Sequence, residues 1–466
     1  MKFPLRLIAT LLMIFIFLTA GSCSRKTDAA PDTDITLQVW EGFKFEEHTL
    51  FEEICAAFEK DYAARTGKTL RISAFRVPFD DMMTKVKTAT LARSTPDICF
   101  VDALKVTELA YGKVVLPLDT LPNFEDTVDS IGRHFIPAAF GSNIVNIRGE
   151  THLYGLPAQT TCLALFWNRK IFRRYAEPLR AAGLNPDRAP GDWDEFILYG
   201  KALTHPTDGV WAYGMRNSLW FTIPFLNLYE APFVEFQDGV FKSVINSARA
   251  RAALSLYVGL ALDHGIEGGA WKAGAKDPDQ GFLNESYAMV FNGPWNVEKF
   301  KSSGLDLGIV LIPRLSKKQA IAAGLLPAEA DDNEYESRVR SSSNVGGQNA
   351  VIFSSCAHPD AALEFLKYFT GREVQKMWAE KLGQIPVRLD AQENLDTSVF
   401  PEIKTFIEQI NLSRPMPPLP LYGTLENDVF NPEMDLVLNG RKSVEEALIN
   451  IDRSLVEKIL TKVNLD

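Results

Sequence analysis

The sequence predicts an α/β fold with parallel sheets and helical crossovers, in a chain long enough for more than one core. From Ile35 to Tyr111 the pattern runs strand, helix, strand, helix, strand, helix, and parallel neighbours need such crossovers. Far downstream, Ala288–Phe291 is a short apolar run broken by Asn292-Gly293-Pro294-Trp295, a second handover from strand to helix. At 466 residues the chain exceeds one ordinary core, and two or three domains follow.

Composition narrows the class. With 46% hydrophobic and 23% charged residues, the chain reads as globular, neither disordered nor built of many membrane spans. A formal net charge of -10 argues against a nucleic-acid binder, which needs a basic face. The five cysteines form no CxxC pair; Cys55, Cys99 and Cys162 lie in apolar segments and read as buried free thiols, with a disulfide among them and Cys356 left open.

In chain order, Lys2 and Arg6 precede an apolar run from Leu7 to Ala20, too short for a span and suited to export. Ala20-Gly21-Ser22 leads into Cys23, and Ser24 to Thr33 is a polar tether. Residues 1–22 are therefore expected to be a signal peptide and 23–33 a linker. Ile35–Trp40 alternates as a strand, His48–Thr66 has helical period and stops at Gly67, Leu70–Val77 is a strand, Asp80–Arg93 a helix, and Asp97–Asp102 a strand leading into helix Ala103–Tyr111. Short strands are predicted at His152–Pro157 and Leu163–Asn168, a helix over Arg169–Ala182, and another after Asp192 as N-cap. From Trp211 to Trp271 the expectation is aromatic-rich helix with interruptions. Leu307–Ile312 reads as a strand. Residues 314–343, acidic near Glu329–Glu336, read as an exposed, partly mobile insertion. A glycine turn at Gly346-Gly347 feeds the strand Gln348–Phe353, and the rest is helical around the proline-rich loop Pro415–Tyr422.

Enzyme templates are absent: no P-loop, GxGxxG, GxSxG or HExxH occurs, and the six histidines include no metal-binding pair. No cofactor and no metal is expected, although a pair of glycosidase carboxylates cannot be removed by counting. What the chain offers is aromatics beside polar groups at strand and helix ends: Trp40-Glu41, Val101-Asp102, Asn292 with Trp295, Gly347-Gln348, and Tyr422. Flat rings match the C–H face of a sugar, and amides or carboxylates match its hydroxyl rim. Locally, Trp295 is either a plug for the core or a platform for a ligand, and on local pattern the plug leads.

Taken in order, Asp81–Lys85 with Thr95–Ile98, Tyr154–Pro157 with Leu165–Lys170, Gly191–Phe196, Ala288–Trp295, and Gly346-Gly347 with Ala361–Thr370 resemble the family 1 extracellular solute-binding proteins, the maltose-binding-like receptors of bacterial sugar ABC importers. The resemblance spans nearly all of the mature chain. It implies a type II periplasmic-binding-protein fold, two α/β lobes joined by crossing hinge strands, with sugar between them. Lobe one would combine 34–160 with 287–371, the latter carrying the inserted loop 314–343; lobe two would combine 161–286 with 372–466. The implied ligand-binding set is Glu41, Asp102, Thr161, Trp220, Asn292, Trp295, Gly347, Gln348, Arg388 and Tyr422. Val101 stands where the maltose-binding members carry a stacking Trp, and Thr161 or Gln159 stands near a hinge carboxylate position without the acid. For Arg388 a salt bridge is the alternative. Cys23 would be lipidated, anchoring an exported, non-enzymatic monomer to a periplasmic or cell-surface membrane, where it hands a carbohydrate to permease subunits. Within that family the platform reading of Trp295 leads. A non-sugar solute (glycerol-phosphate, a polyamine or an anion) and a secreted carbohydrate-active enzyme are the alternatives.

Overall fold

A computed structural model describes residues 35–237, 239–272, 274–415 and 419–464; the expected signal peptide, Cys23 and the tether lie outside them. The strands in chain order are β1 Ile35–Glu41, β2 Leu70–Arg76, β3 Ile98–Asp102, β4 Ile144–Ile147, β5 Glu150–Leu153, β6 Leu156–Thr161, β7 Ala164–Asn168, β8 Trp211–Gly214, β9 Val234–Gln237, β10 Val240–Ser243, β11 Tyr287–Asn292, β12 Leu307–Val310 and β13 Gly346–Ile352. They form a five-stranded sheet in the order β2-β1-β3-β13-β6 and a four-stranded sheet in the order β12-β7-β11-β8, with two hairpins besides. Each large sheet is the centre of one lobe.

In the first sheet β1 runs parallel to β2 and β3, as the strand-helix alternation predicts; β13 is antiparallel to β3, and β6, antiparallel to β13, again has the direction of β1. The helix Phe45–Thr66 buries Leu50, Phe51, Ile54 and Phe58 against this sheet and ends at Gly67 in the left-handed region. Its core is aromatic: Phe43, Phe51, Phe100, Phe369 and Trp378 meet at ring separations of 5.0–6.2 Å. Trp378 lies in the helix Arg372–Leu382, so this stretch packs with the first lobe, although it was expected in the second. Its apolar face finds the first core because the chain has not yet crossed back.

The second sheet corrects the division of the chain further. β11 was expected in lobe one, but it lies inside the four-stranded sheet, antiparallel to β7 and parallel to β8. β12 joins the other side of β7. The segment 314–343 is no exposed insertion: helices Lys317–Ala322 and Asp332–Arg338 bury Ala320 and Tyr335 in the second core, and Leu315, Leu326 and Val339 beside them are buried there too. Its acidic residues serve locally, Asp331 capping the second helix and Glu336 pairing with Arg314. The stretch 211–271 is also less helical than expected, since β8 pairs with β11 and a β9–β10 hairpin turns at Gly239, φ 81°. The predicted helix 169–182 is broken at Tyr175 into Arg169–Arg174 and Ala176–Ala181.

The lobes are joined where β6 passes into β7 through Cys162-Leu163 and where Ser341–Val345 runs into β13. This joint is polar and buried: Ser343 and Asn344 are fully inaccessible, and the Leu163 amide donates to Ser343 Oγ at 3.0 Å. Cys55, Cys99, Cys162 and Cys356 are free thiols. No helix among the described residues is long and apolar enough to cross a membrane.

Candidate functional site between the lobes

Strand direction assembles the site. The carboxyl ends of β1, β3 and β6 and the amino end of the antiparallel β13 share one edge of the first sheet, while β8 and β11 end together on the second. Ligands of open α/β sheets bind beyond such edges.

On the first lobe Asp102, Gln348 and Gln159 form a row across β3, β13 and β6. Gln348 donates to Gln159 Oε1 at 3.0 Å, Gln159 donates to Glu47 Oε1 at 2.9 Å, and Gln384 donates to the same oxygen at 3.0 Å. Gln348 keeps a buried carbonyl oxygen without a partner, as does the hydroxyl of Thr161. Glu47 and Gln384 were not anticipated; nothing local in the sequence singles them out. Gly347 is structural: φ is 129°, and a Cβ would fall 2.0 Å from the Gln159 carbonyl oxygen. The β13–β6 pairing depends on that absence. Glu41 is fully buried, accepting from the Phe43 amide at 2.6 Å and meeting His48 Nδ1 at 2.7 Å, and burial pushes its pKa up against both contacts. Its carboxylate holds the β1 turn instead of facing ligand. Val101 is buried in the first lobe.

On the second lobe the turn after β11 is held by a dense polar knot. Asn292 donates to Asp279 Oδ1 at 2.7 Å, Asn296 donates to Asp279 Oδ2 at 2.8 Å, and the Gly293 amide donates to Asn292 Oδ1 at 3.0 Å. Asn292 is 1% exposed and spends its amide on this knot, so the expected hydroxyl partner is instead a positioning residue. Arg216 closes the knot, 2.7 Å from Asp279 and 2.6 Å from Asp277. Burial opposes the charges here, yet the Arg216 guanidinium leaves the Asp277 carboxyl below the usual range. The loop carrying Arg216 is set from below by Glu267, which accepts from the Met215, Gly269 and Ala270 amides.

Trp295 sits on this knot, half-buried. Its ring lies over Gly293, where a Cβ would come 1.9 Å from Cζ3. Lys44, from the opposite lobe, donates to the Trp295 carbonyl, and burial lowers the Lys44 pKa. Trp220 packs on the other glycine of the edge, Gly346, and its carbonyl accepts from the joint residue Asn344 at 2.7 Å.

Tyr422 belongs to the same cleft. It is 5% exposed, its hydroxyl has no partner, and burial first, then Glu426 and Asp102, hold its pKa well above the ordinary value. Lys105 Nζ lies 5.1 Å from its ring centre. Asp102 accepts from the Leu104 amide at 3.0 Å, and its pKa is raised by burial. Arg388 stands apart: both contacts of its guanidinium go to Asp390, at 2.8 and 2.6 Å, beside Phe135, which is the salt-bridge alternative. The candidate site thus keeps Asp102, Thr161, Trp220, Gln348, Trp295 and Tyr422 of the expected set, adds Lys44, Lys105, Arg216, Asp279 and Glu426 as neighbours, and sets aside Glu41, Asn292, Gly347 and Arg388. The short run Met215-Arg216-Asn217-Ser218 after β8 was the one missed signal, a polar loop at a strand end.

A separate cavity of about 390 Å³ lies between β12, the helix Asp332–Arg338 and Leu412. Its Arg314 and Glu336 are paired with each other, and none of the expected site residues lines it.

The family model described as bacterial extracellular solute-binding protein matches residues 53–405. A maltotriose-binding protein of Pyrococcus abyssi is 27% identical over 36% of this chain, a match spanning only 34% of that relative's length. A maltooligosaccharide ABC transporter solute-binding lipoprotein of Streptococcus pneumoniae is 20% identical, over 89% of this chain and 86% of its own. An sn-glycerol-3-phosphate-binding periplasmic protein of Yersinia enterocolitica is 23% identical over 70% of each. Among solved structures, the GacH receptor of Streptomyces glaucescens superposes with a TM-score of 0.71 at 22% identity, covering 92% of this chain and 98% of its own. That likeness shows the fold.

Proposed function

Because this chain belongs to the bacterial extracellular solute-binding proteins, we propose that it is the carbohydrate-capturing subunit of an ABC importer, closing its two lobes on a sugar or oligosaccharide and presenting the closed shape to permease subunits. The observation that carries this reading is the half-buried Trp295, its ring over Gly293 and against the second core, with Lys44 of the other lobe reaching its carbonyl. Aromatic and amide groups from both lobes suit a ligand with apolar faces and a hydroxyl rim. A ligand touching both walls binds the closed arrangement more tightly than the open one and so shifts the population toward it. Thr161 and Gln348, each with a buried oxygen lacking a partner, would accept from hydroxyls. Export through residues 1–22, lipidation of Cys23 and action as a monomer complete the proposal.

The glycerol-phosphate relative supports a second reading, an anionic ligand. Charge weighs against it. Arg216 is held by Asp277 and Asp279, Lys44 lies in the field of Glu47, Asp279 and Glu46 against the single cation Lys299, and Lys105 lies in the field of Asp102. A phosphate needs cations or a helix N-terminus in excess of local carboxylates. Titration calorimetry with maltooligosaccharides of increasing length, and with glycerol-3-phosphate beside them, tests the choice. Saturable heat with the saccharides and none with the phosphate is expected; the reverse overturns the sugar reading.

A further inference from the structure

The two lobes touch each other at two points of the cleft, one beyond β1 and one beyond β3, and each time a lysine of the first lobe makes the contact. Lys44 is the N-cap of the helix Phe45–Thr66, and its amide donates to Glu47 Oε2 at 2.8 Å, which fixes its backbone. From there its ammonium donates to the Trp295 carbonyl of the second lobe. That target is fixed in turn: Trp295 lies in the turn Pro294–Asn296, whose Asn296 is tied to Asp279 at 2.8 Å. Lys105 ends the short turn Ala103–Lys105, which Asp102 caps by accepting from the Leu104 amide at 3.0 Å. Its Nζ lies 5.1 Å from the centre of the Tyr422 ring, and Leu104 beside it packs against the second core. A Cβ on Gly423 would fall 3.2 Å from the same Nζ, so a side chain there would crowd the ammonium. Both ammoniums thus meet uncharged partners across the cleft, a carbonyl and a ring face.

We propose that Lys44 and Lys105 form a clasp: two positioning residues that hold the lobes to each other and set Trp295 and Tyr422 in the closed cleft. The inference goes beyond the carbohydrate reading and does not rest on it. Each contact exists only where the lobes meet, so each favours the closed arrangement and raises its population before a solute arrives. A solute then spends less of its own binding free energy on closure, and its apparent affinity rises with the closed fraction. Because that gain belongs to the protein, it is the same for every solute. A lysine that touched the solute itself would instead discriminate between solutes, since its contact would change with the groups presented to it.

Lys44 is exposed and Lys105 partly so, and methionine at either place removes the ammonium while keeping most of the side chain, so the fold is expected to stand. Small-angle scattering on the full mature chain, with no solute added, compares wild type with Lys44→Met, Lys105→Met and the double variant. Wild type is expected near the radius of gyration of a compact chain of this length, about 22 Å, and the double variant above it with Tm unchanged. Titration calorimetry with maltose, maltotriose and maltotetraose is the second arm. Each single variant is expected to weaken Kd up to about fivefold, by the same factor for all of these saccharides. Lys44→Arg keeps a donor and is expected to restore both readouts. A radius unchanged in the double variant, or losses differing by more than about threefold between the saccharides, overturns the clasp. A larger radius with loss of the thermal transition is unfolding and also counts against it. Failure of every saccharide to bind wild type overturns the carbohydrate reading alone, and the scattering still decides the clasp.

Discussion

Replacing Gly293 by Ala would set the two readings of Trp295 against each other. Gly293 has φ -118° and ψ 179°, extended backbone open to any residue, so alanine introduces no backbone strain. Its Cβ, however, would fall 1.9 Å from Trp295 Cζ3 and 2.3 Å from Cε3 and Cη2. Carbon contacts settle near about 3.5–4 Å, so the ring must shift by roughly 1.5–2 Å. A half-buried ring can swing toward solvent, at a cost of under about 1 kcal/mol, which lowers Tm by a few degrees at most. As a platform it would then be misplaced, and loss of an aromatic anchor of about 2 kcal/mol weakens Kd roughly 30-fold. Scanning calorimetry and ligand titration on Gly293→Ala and Trp295→Ala together check this. If Trp295 is a plug, the methyl overpacks a closed socket at about 1–3 kcal/mol. A large drop in Tm with Kd unchanged in the surviving folded protein would refute the platform reading.

Gly347→Ala should be far more disruptive than any cleft substitution, by roughly 3 kcal/mol or more in urea unfolding, because the positive φ and the Gln159 carbonyl both exclude a side chain; a near-neutral result would mean that β6 yields there. Asp279→Ala removes the acceptor shared by Asn292, Asn296 and Arg216, and about 1–3 kcal/mol of stability together with a weaker Kd is expected; unchanged affinity would uncouple the knot from Trp295. Burial raises the Asp102 pKa, so the folded chain holds that proton more tightly than the unfolded one, and stability is lost as pH rises through the raised value. Asp102→Asn should therefore raise Tm at pH 7 and change nothing below about pH 3.9; a lower Tm at pH 7 would show that the carboxylate stabilises the fold. Cys23→Ser, expressed in a bacterial host, should move the protein from the membrane fraction to the soluble one, and retention in membranes would count against lipidation.

The strand-helix alternation of the first lobe, the Asp192 cap and the handover at Asn292–Trp295 were legible because each is written in neighbouring residues. Asp192 accepts from the Glu195 amide three positions on, as its place before an apolar run predicts. The ordered family motifs also carried the two-lobed fold and the aromatic character of the cleft. Which sheet receives β11 was not legible, since an apolar strand of four or five residues pairs equally well with either edge until its partners are in place. The acidic segment 314–343 misled for a related reason: its buried Leu315, Ala320, Tyr335 and Val339 are too widely spaced to show a period, and only the second core supplies their partners. The same holds inside the site. Asn292 looked available to a ligand until Asp279 claimed its amide, and Arg388 until Asp390 claimed its guanidinium. Lys44 reaches Trp295 across 251 residues, and Lys105 reaches Tyr422 from the other lobe. Neighbouring residues thus carry the alternation of the first lobe, the residue types at the strand ends and the family, whereas which of those groups can meet a ligand depends on partners distant in the chain.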